Sequence, residues 1–83
     1  HEDFIEVTLL FDKEASFRVY DEFADQVACN SDGSLSVEAQ LPDNEHLLSF
    51  ILSFGDKVEV IAPQAIRHKL QNCLKKLQSK YIT

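Results

Sequence analysis

The run Leu47-Leu48-Ser49-Phe50-Ile51-Leu52-Ser53-Phe54-Gly55-Asp56-Lys57-Val58-Glu59-Val60-Ile61-Ala62-Pro63-Gln64-Ala65-Ile66-Arg67 changes its hydrophobic rhythm twice. Over residues 47–54 six of eight positions are large and apolar, too dense for an alternating strand and helical in character. Gly55 fits the left-handed position that ends helices. Residues 57–62 then place Val58 and Val60 at strand spacing, and Pro63, with no N–H to give to a ladder, closes the strand. From Gln64 onward Ile66, Leu70, Cys73, Leu74, Leu77 and Tyr81 recur at i, i+3/i+4, i+7, the clearest helical stripe in the chain. The stretch therefore predicts helix, strand, then a long last helix with its stripe turned to the core.

Working back from Leu47, Pro42-Asp43-Asn44 breaks the chain and offers N-caps for the helix that follows. Residues 35–41 alternate, with Leu35, Val37, Ala39 and Leu41 inward and Ser36, Glu38 and Gln40 outward. Together with residues 27–30 they flank Ser31-Asp32-Gly33-Ser34, and Asp-Gly supplies the positive-φ residues of a tight hairpin turn. Before them, Phe17, Tyr20, Phe23 and Ala24 recur at helical spacing after Asp12, a good N-cap, with Arg18, Asp21, Glu22 and Asp25 turned away. Residues 4–11 alternate again, Ile5, Val7, Leu9 and Phe11 against Glu6 and Thr8. The order is βαββαβ plus a C-terminal helix. It predicts an α+β, ferredoxin-like split βαβ fold: one antiparallel four-stranded sheet with its helices on one face.

A chain of 83 residues holds one core, so residues 1–83 are read as a single domain. An apolar fraction of 45% is enough to fill it. No stretch is long enough to span a bilayer, and none has the basic flank of a secretory signal. There is no Met, and the apolar pattern begins within four residues of the first position, so the chain is expected to be part of a longer protein. Two isolated cysteines, Cys29 and Cys73, fit a reduced, cytoplasmic protein better than a disulfide scaffold, although sequence separation does not forbid their pairing. The net charge of −6 hides an asymmetry: residues 1–59 hold all fourteen acids against Lys13, Arg18 and Lys57, whereas residues 60–83 hold five bases and no acid.

Catalysis needs convergent groups of tuned pKa, and the sequence offers no such constellation. There is no Cys-x-x-Cys, no His-x₃-His and no acid beside His68. No catalytic residue, metal ligand or cofactor site is assigned. The outward face of the sheet, with Glu6, Thr8, Ser36, Glu38, Gln40 and Glu59, is negative and poor in aromatics, which disfavours RNA binding across it. The last helix carries Arg67, Lys69, Lys75, Lys76 and Lys80. Lysines near a helix C-terminus meet the negative end of its dipole and need no ligand to explain them. The alternative reading gives Arg67 and Lys69, near the helix start, to the phosphate of an effector. The apolar surface at 47–54 is wider than one sheet face needs, so Phe50 and Phe54 are interface candidates beside a purely structural reading.

In order and spacing, the leucine-rich helix ending at Gly55, the strand ending at Pro63 and the last helix bearing Arg67 resemble the C-terminal extension, or WCX domain, of WYL-domain transcription regulators. The Asp32-Gly33 hairpin and Tyr81 fit as well, and the likeness covers nearly the whole chain. The resemblance implies a non-catalytic domain that follows a DNA-binding helix-turn-helix and a WYL domain in the same polypeptide. It implies support for effector sensing, with a nucleic-acid or nucleotide-like effector, or for the architecture of a homodimer. The chain has no Trp, so the WYL signature lies outside it, and Arg67 alone matches a polar feature of the family pattern. Two other readings share the topology: an ACT-like small-molecule sensor and, more weakly, a small hydrolase, for which Gly33 and Gly55 are better explained as turn and cap.

Overall fold

The computed structural model describes residues 3–82. Its elements are β1 (Phe4–Phe11), α1 (Ser16–Phe23), β2 (Val27–Cys29), β3 (Leu35–Pro42), α2 (Leu47–Leu52), β4 (Val58–Ala62) and α3 (Gln64–Tyr81). The four strands form one sheet in the order β2-β3-β1-β4, every neighbour antiparallel. This is the ferredoxin-like arrangement the βαββαβ order predicts. β1 pairs with β3 along its whole length, from Phe4 opposite Pro42 to Phe11 opposite Leu35. Its pairing with β4 slips between Thr8 and Leu9, a bulge that takes Ile61 out of register.

One face of the sheet carries the core. Val7, Leu9 and Phe11 of β1, Leu35, Val37 and Ala39 of β3 and Val60 of β4 are buried together with Val19, Phe23, Leu47, Ile51, Phe54 and Ile66. Every helix thus contributes to the same face. Glu6, Glu38, Gln40 and Glu59 lie exposed on the other, with Thr8 and Ser36 half-buried. Of five phenylalanine ring pairs, two join Phe11 of β1 to the helix layer, the closer being Phe11 on Phe54 at 4.8 Å, edge to face, and three join Phe23, Phe50 and Phe54 to one another. Each such pair adds about 0.5–1.5 kcal/mol beyond simple burial.

Several local expectations are corrected. Asp12 makes no side-chain cap; a 3-10 turn over Lys13–Ala15 intervenes and α1 begins at Ser16. The core face of α1 is Val19 and Phe23, whereas Phe17 is 89% exposed and Tyr20 48%. Residues three apart drift by about 60° around a helix, so Phe17, Tyr20 and Phe23 cannot all point at the sheet, while residues four apart differ by only about 40°. In the hairpin only Gly33 takes a positive φ, of 91°. Asp32 serves differently, its carboxylate accepting from the Ser34 N–H at 2.9 Å and the Ser34 hydroxyl at 2.6 Å. β2 stops at Cys29, and the Asn30 amide donates to the hydroxyls of Ser34 and Ser36 at 3.0 and 2.9 Å. α2 ends at Leu52; Gly55 does adopt a left-handed φ of 63°, but it opens a 3-10 turn rather than closing the helix. Cys29 is exposed and Cys73 half-buried, both as free thiols.

Candidate interaction surface

α3 starts against the domain and then leaves it. Ile66 is 1% exposed, while Leu74 is 51%, Leu77 43% and Tyr81 83% exposed, so the stripe expected to face the core is covered only over its first turns. The reason is length. Eighteen helical residues rise about 27 Å, whereas the five residues of β4 extend only about 17 Å. α1 and α2, with 8 and 6 residues, leave the distal half of α3 without a surface to rest on. Between α2, β4 and α3 lies an apolar groove of about 430 Å³ lined chiefly by Ile51, Leu52, Val58, Val60, Leu70 and Leu74. A smaller hollow of about 250 Å³ opens at the other end of α2, between Leu41, Pro42, Leu47 and Phe50, with Asn44 and His46 at its rim.

The structure gives each expected site residue a definite setting. Arg67 donates through Nη1 to the carbonyl of Val60 and lies 3.7 Å from the Glu59 carboxylate, so it ties the root of α3 to the edge strand β4. Lys69, two residues on and so on a different side of the helix, is exposed. Phe54 is 7% exposed and stands in the aromatic core, with the Arg18 guanidinium over its ring at 3.8 Å. Phe50 is half-buried and reaches the smaller hollow. His46 and His68 are exposed. Among the described residues no three of His, Cys, Asp and Glu gather closely enough to hold a metal ion, and no helix is long and apolar enough to cross a membrane.

Two exposed apolar patches escaped the sequence reading, Phe17 with Tyr20 on α1 and Leu74, Leu77 and Tyr81 on α3. Periodicity alone places both in the core. For α3 the cause is length: an eighteen-residue stripe exceeds what helices of about eight residues and a short edge strand are able to cover.

The fold and this surface define a small α+β module that offers apolar and charged helix faces. The chain belongs to the WCX domain family, which it matches over residues 3–78. It is 30% identical over 80 residues to YobV, an uncharacterized HTH-type transcriptional regulator of Bacillus subtilis (strain 168). That alignment takes in 94% of this chain and 26% of the relative, so the chain spans about a quarter of the length of the protein it matches.

Proposed function

We propose that this WCX domain is the non-catalytic C-terminal regulatory and interaction domain of a cytoplasmic, DNA-binding transcription regulator. In that reading helix-turn-helix and WYL domains precede it in the same polypeptide, and it supports effector sensing or the architecture of a homodimer. The observation that carries the reading is the exit of the α3 stripe from the core: apolar residues at regular helical spacing, among them Leu74, Leu77 and Tyr81, stand in solvent. Exposed apolar surface of this regularity is what a domain presents to a neighbouring domain or subunit. A relative named as an HTH-type regulator supports the same context.

Arg67 and Lys69 belong to this proposal as the residues offered to an anionic effector. Arg67 is held in place by Val60 and Glu59, and its remaining N–H groups still form a planar fork suited to phosphate. Lys69, on a different side of α3, adds a point charge to the field around the effector rather than a second contact to the same phosphate. The test uses the full-length regulator carrying Leu74→Ser with Leu77→Ser. Assembly or effector response is expected to fall while the domain's own unfolding midpoint holds. Unchanged assembly, operator binding and effector response in that variant would remove the reading.

A further inference from the structure

The two uncovered helix patches carry opposite charge. On α3, Lys69, Lys76 and Lys80 fall along one flank of the stripe formed by Leu74, Leu77 and Tyr81, all of them exposed. On α1, Phe17 and Tyr20 stand three residues apart, with exposed Asp21 beside them; exposed Glu14, in the 3-10 turn just before the helix, has Lys57 at 3.9 Å. We infer that α1 of one copy of this chain docks on the distal half of α3 of a second copy. This rests on the reading of the domain as an interaction module and names its partner.

The alternatives within the same surface inventory fail on charge or on polarity. Pairing α3 with α3 brings the Lys69, Lys76 and Lys80 flank of one copy against the same three lysines of the other, and residues 60–83 contain no acid to offset them. The open sheet face offers Glu6, Glu38 and Glu59 to the lysines, but its exposed apolar residues stand apart, Phe4 at the start of β1 and Ile61 beside Thr8 and Leu9, with Glu6 between them, and they give the leucines and Tyr81 no continuous apolar surface. α1 offers both requirements at once, two aromatic side chains and a carboxylate border. Charge complementarity of this kind selects a partner and its orientation more than it adds affinity. In a twofold arrangement α1 of each copy meets α3 of the other, so every patch is used once and the assembly closes at two.

The test is sedimentation equilibrium of the 83-residue chain at two salt concentrations, with far-UV circular dichroism to confirm folding. The wild type is expected to dimerise, less tightly at the higher salt. Phe17→Ser with Tyr20→Ser, and separately Leu77→Ser with Tyr81→Ser, are each expected to weaken the dimer by roughly tenfold or more, the scale of losing interface anchors. An equimolar mixture of the two variants should form a heterodimer tighter than either homodimer, because one intact α1-to-α3 junction survives in it. If either variant loses its fold, Asp21→Lys and Lys76→Glu with Lys80→Glu replace the pair, and combining both charge changes in one chain should restore dimerisation. An α1 variant that dimerises like wild type would overturn the pairing in favour of α3 on α3. A wild-type chain that stays monomeric throughout would overturn it too. If that monomeric chain came from a full-length regulator still impaired by Leu74→Ser with Leu77→Ser, the interaction-domain reading would stand and only the α1-to-α3 pairing would fall.

Discussion

The Arg18 guanidinium lies 3.8 Å above the centroid of the Phe54 ring and donates to Ser53 twice, from Nη1 to the carbonyl oxygen at 2.9 Å and from Nη2 to the hydroxyl at 2.6 Å. One side chain from α1 thereby ties down the end of α2, where the helix gives way to the Gly55–Lys57 turn. The same ring packs on Phe11 from beneath, so Phe54 is held between a cation and the core. Arg18, which helical spacing turns away from the core, is a cross-link between helices.

Replacing Arg18 by Ala should cost about 1–2 kcal/mol, the combined scale of a half-exposed cation–π contact and a hydrogen bond to backbone. Lys in its place keeps the charge over the ring but loses the fork that reaches both Ser53 atoms, so it should recover only part of that loss. Urea unfolding of the three chains gives the order, and equal midpoints would show the tie to be dispensable.

Phe50 and Phe54 should separate cleanly. Phe54→Ser removes a ring that is 7% exposed and touches Phe11, Phe23 and Phe50, and truncation of a buried aromatic costs about 3–5 kcal/mol. That is a large share of a small domain's stability, so the variant should be largely unfolded at physiological temperature. Phe50→Ser should cost clearly less, since its ring is only half-buried. Any interface role for this pair would then be read from Phe50 in the full-length protein. Comparable losses from both substitutions would place Phe50 in the core as well.

Ala24 has φ 48° and ψ −118°, a left-handed backbone that disfavours any side chain. It joins α1 to the 3-10 turn leading into β2. Ala24→Gly should stabilise the domain by about 1 kcal/mol, because Gly adopts this conformation without the Cβ penalty. Gly33→Ala should do the reverse at φ 91°, where the new Cβ would also meet Lys13 Cδ at 3.4 Å. Paired thermal melts check the signs.

The strands were legible because period-two alternation leaves no freedom: a slip of one residue would turn Val7, Leu9 and Phe11 to solvent. The short helices were less legible. Eight residues between two 3-10 turns support more than one apolar stripe, and the larger rings of Phe17 and Tyr20 outweighed Val19 in the pattern although only Val19 reaches the sheet. Periodicity identified α3 but says nothing about how far its neighbours extend. Contacts that depend on tertiary approach, Arg67 on Val60 and Arg18 on Ser53, leave no mark in spacing at all.

The hairpin has a built-in acid response. The hydroxyl and N–H of Ser34, donating to Asp32, hold its carboxyl below the ordinary value of 3.8. The sign follows from linkage: a carboxyl depressed in the folded state contributes stability that is present above its unfolded pKa and lost as pH falls through its folded pKa. The turn should therefore keep its Ser34 amide protected from exchange at pH above about 4 and lose that protection as the carboxylate protonates below it. Asp32→Ala should lower the protection at neutral pH and flatten its decline in acid. An unchanged acid profile would assign that decline to other carboxylates.

The course of α3 out of the core makes one helix behave as two. Ile66 is packed among β4, α2 and the sheet, and truncating it to Ala should cost about 2–5 kcal/mol, because the cavity left behind cannot close. Leu77→Ala occupies an equivalent place in the stripe but is 43% exposed, so its cost should stay within about 1 kcal/mol. Hydrogen exchange should show the same break. Amides in the first three turns are expected to exchange with the global unfolding of the domain, while those beyond Leu74 open locally and exchange faster. At protein concentrations high enough for partner docking, protection of the distal half should rise toward that of the first half and Leu77→Ala should begin to matter. Uniform protection along α3 in dilute solution, together with a core-sized loss from Leu77→Ala, would mean that the distal half is packed within the single chain and that the stripe is not an interface.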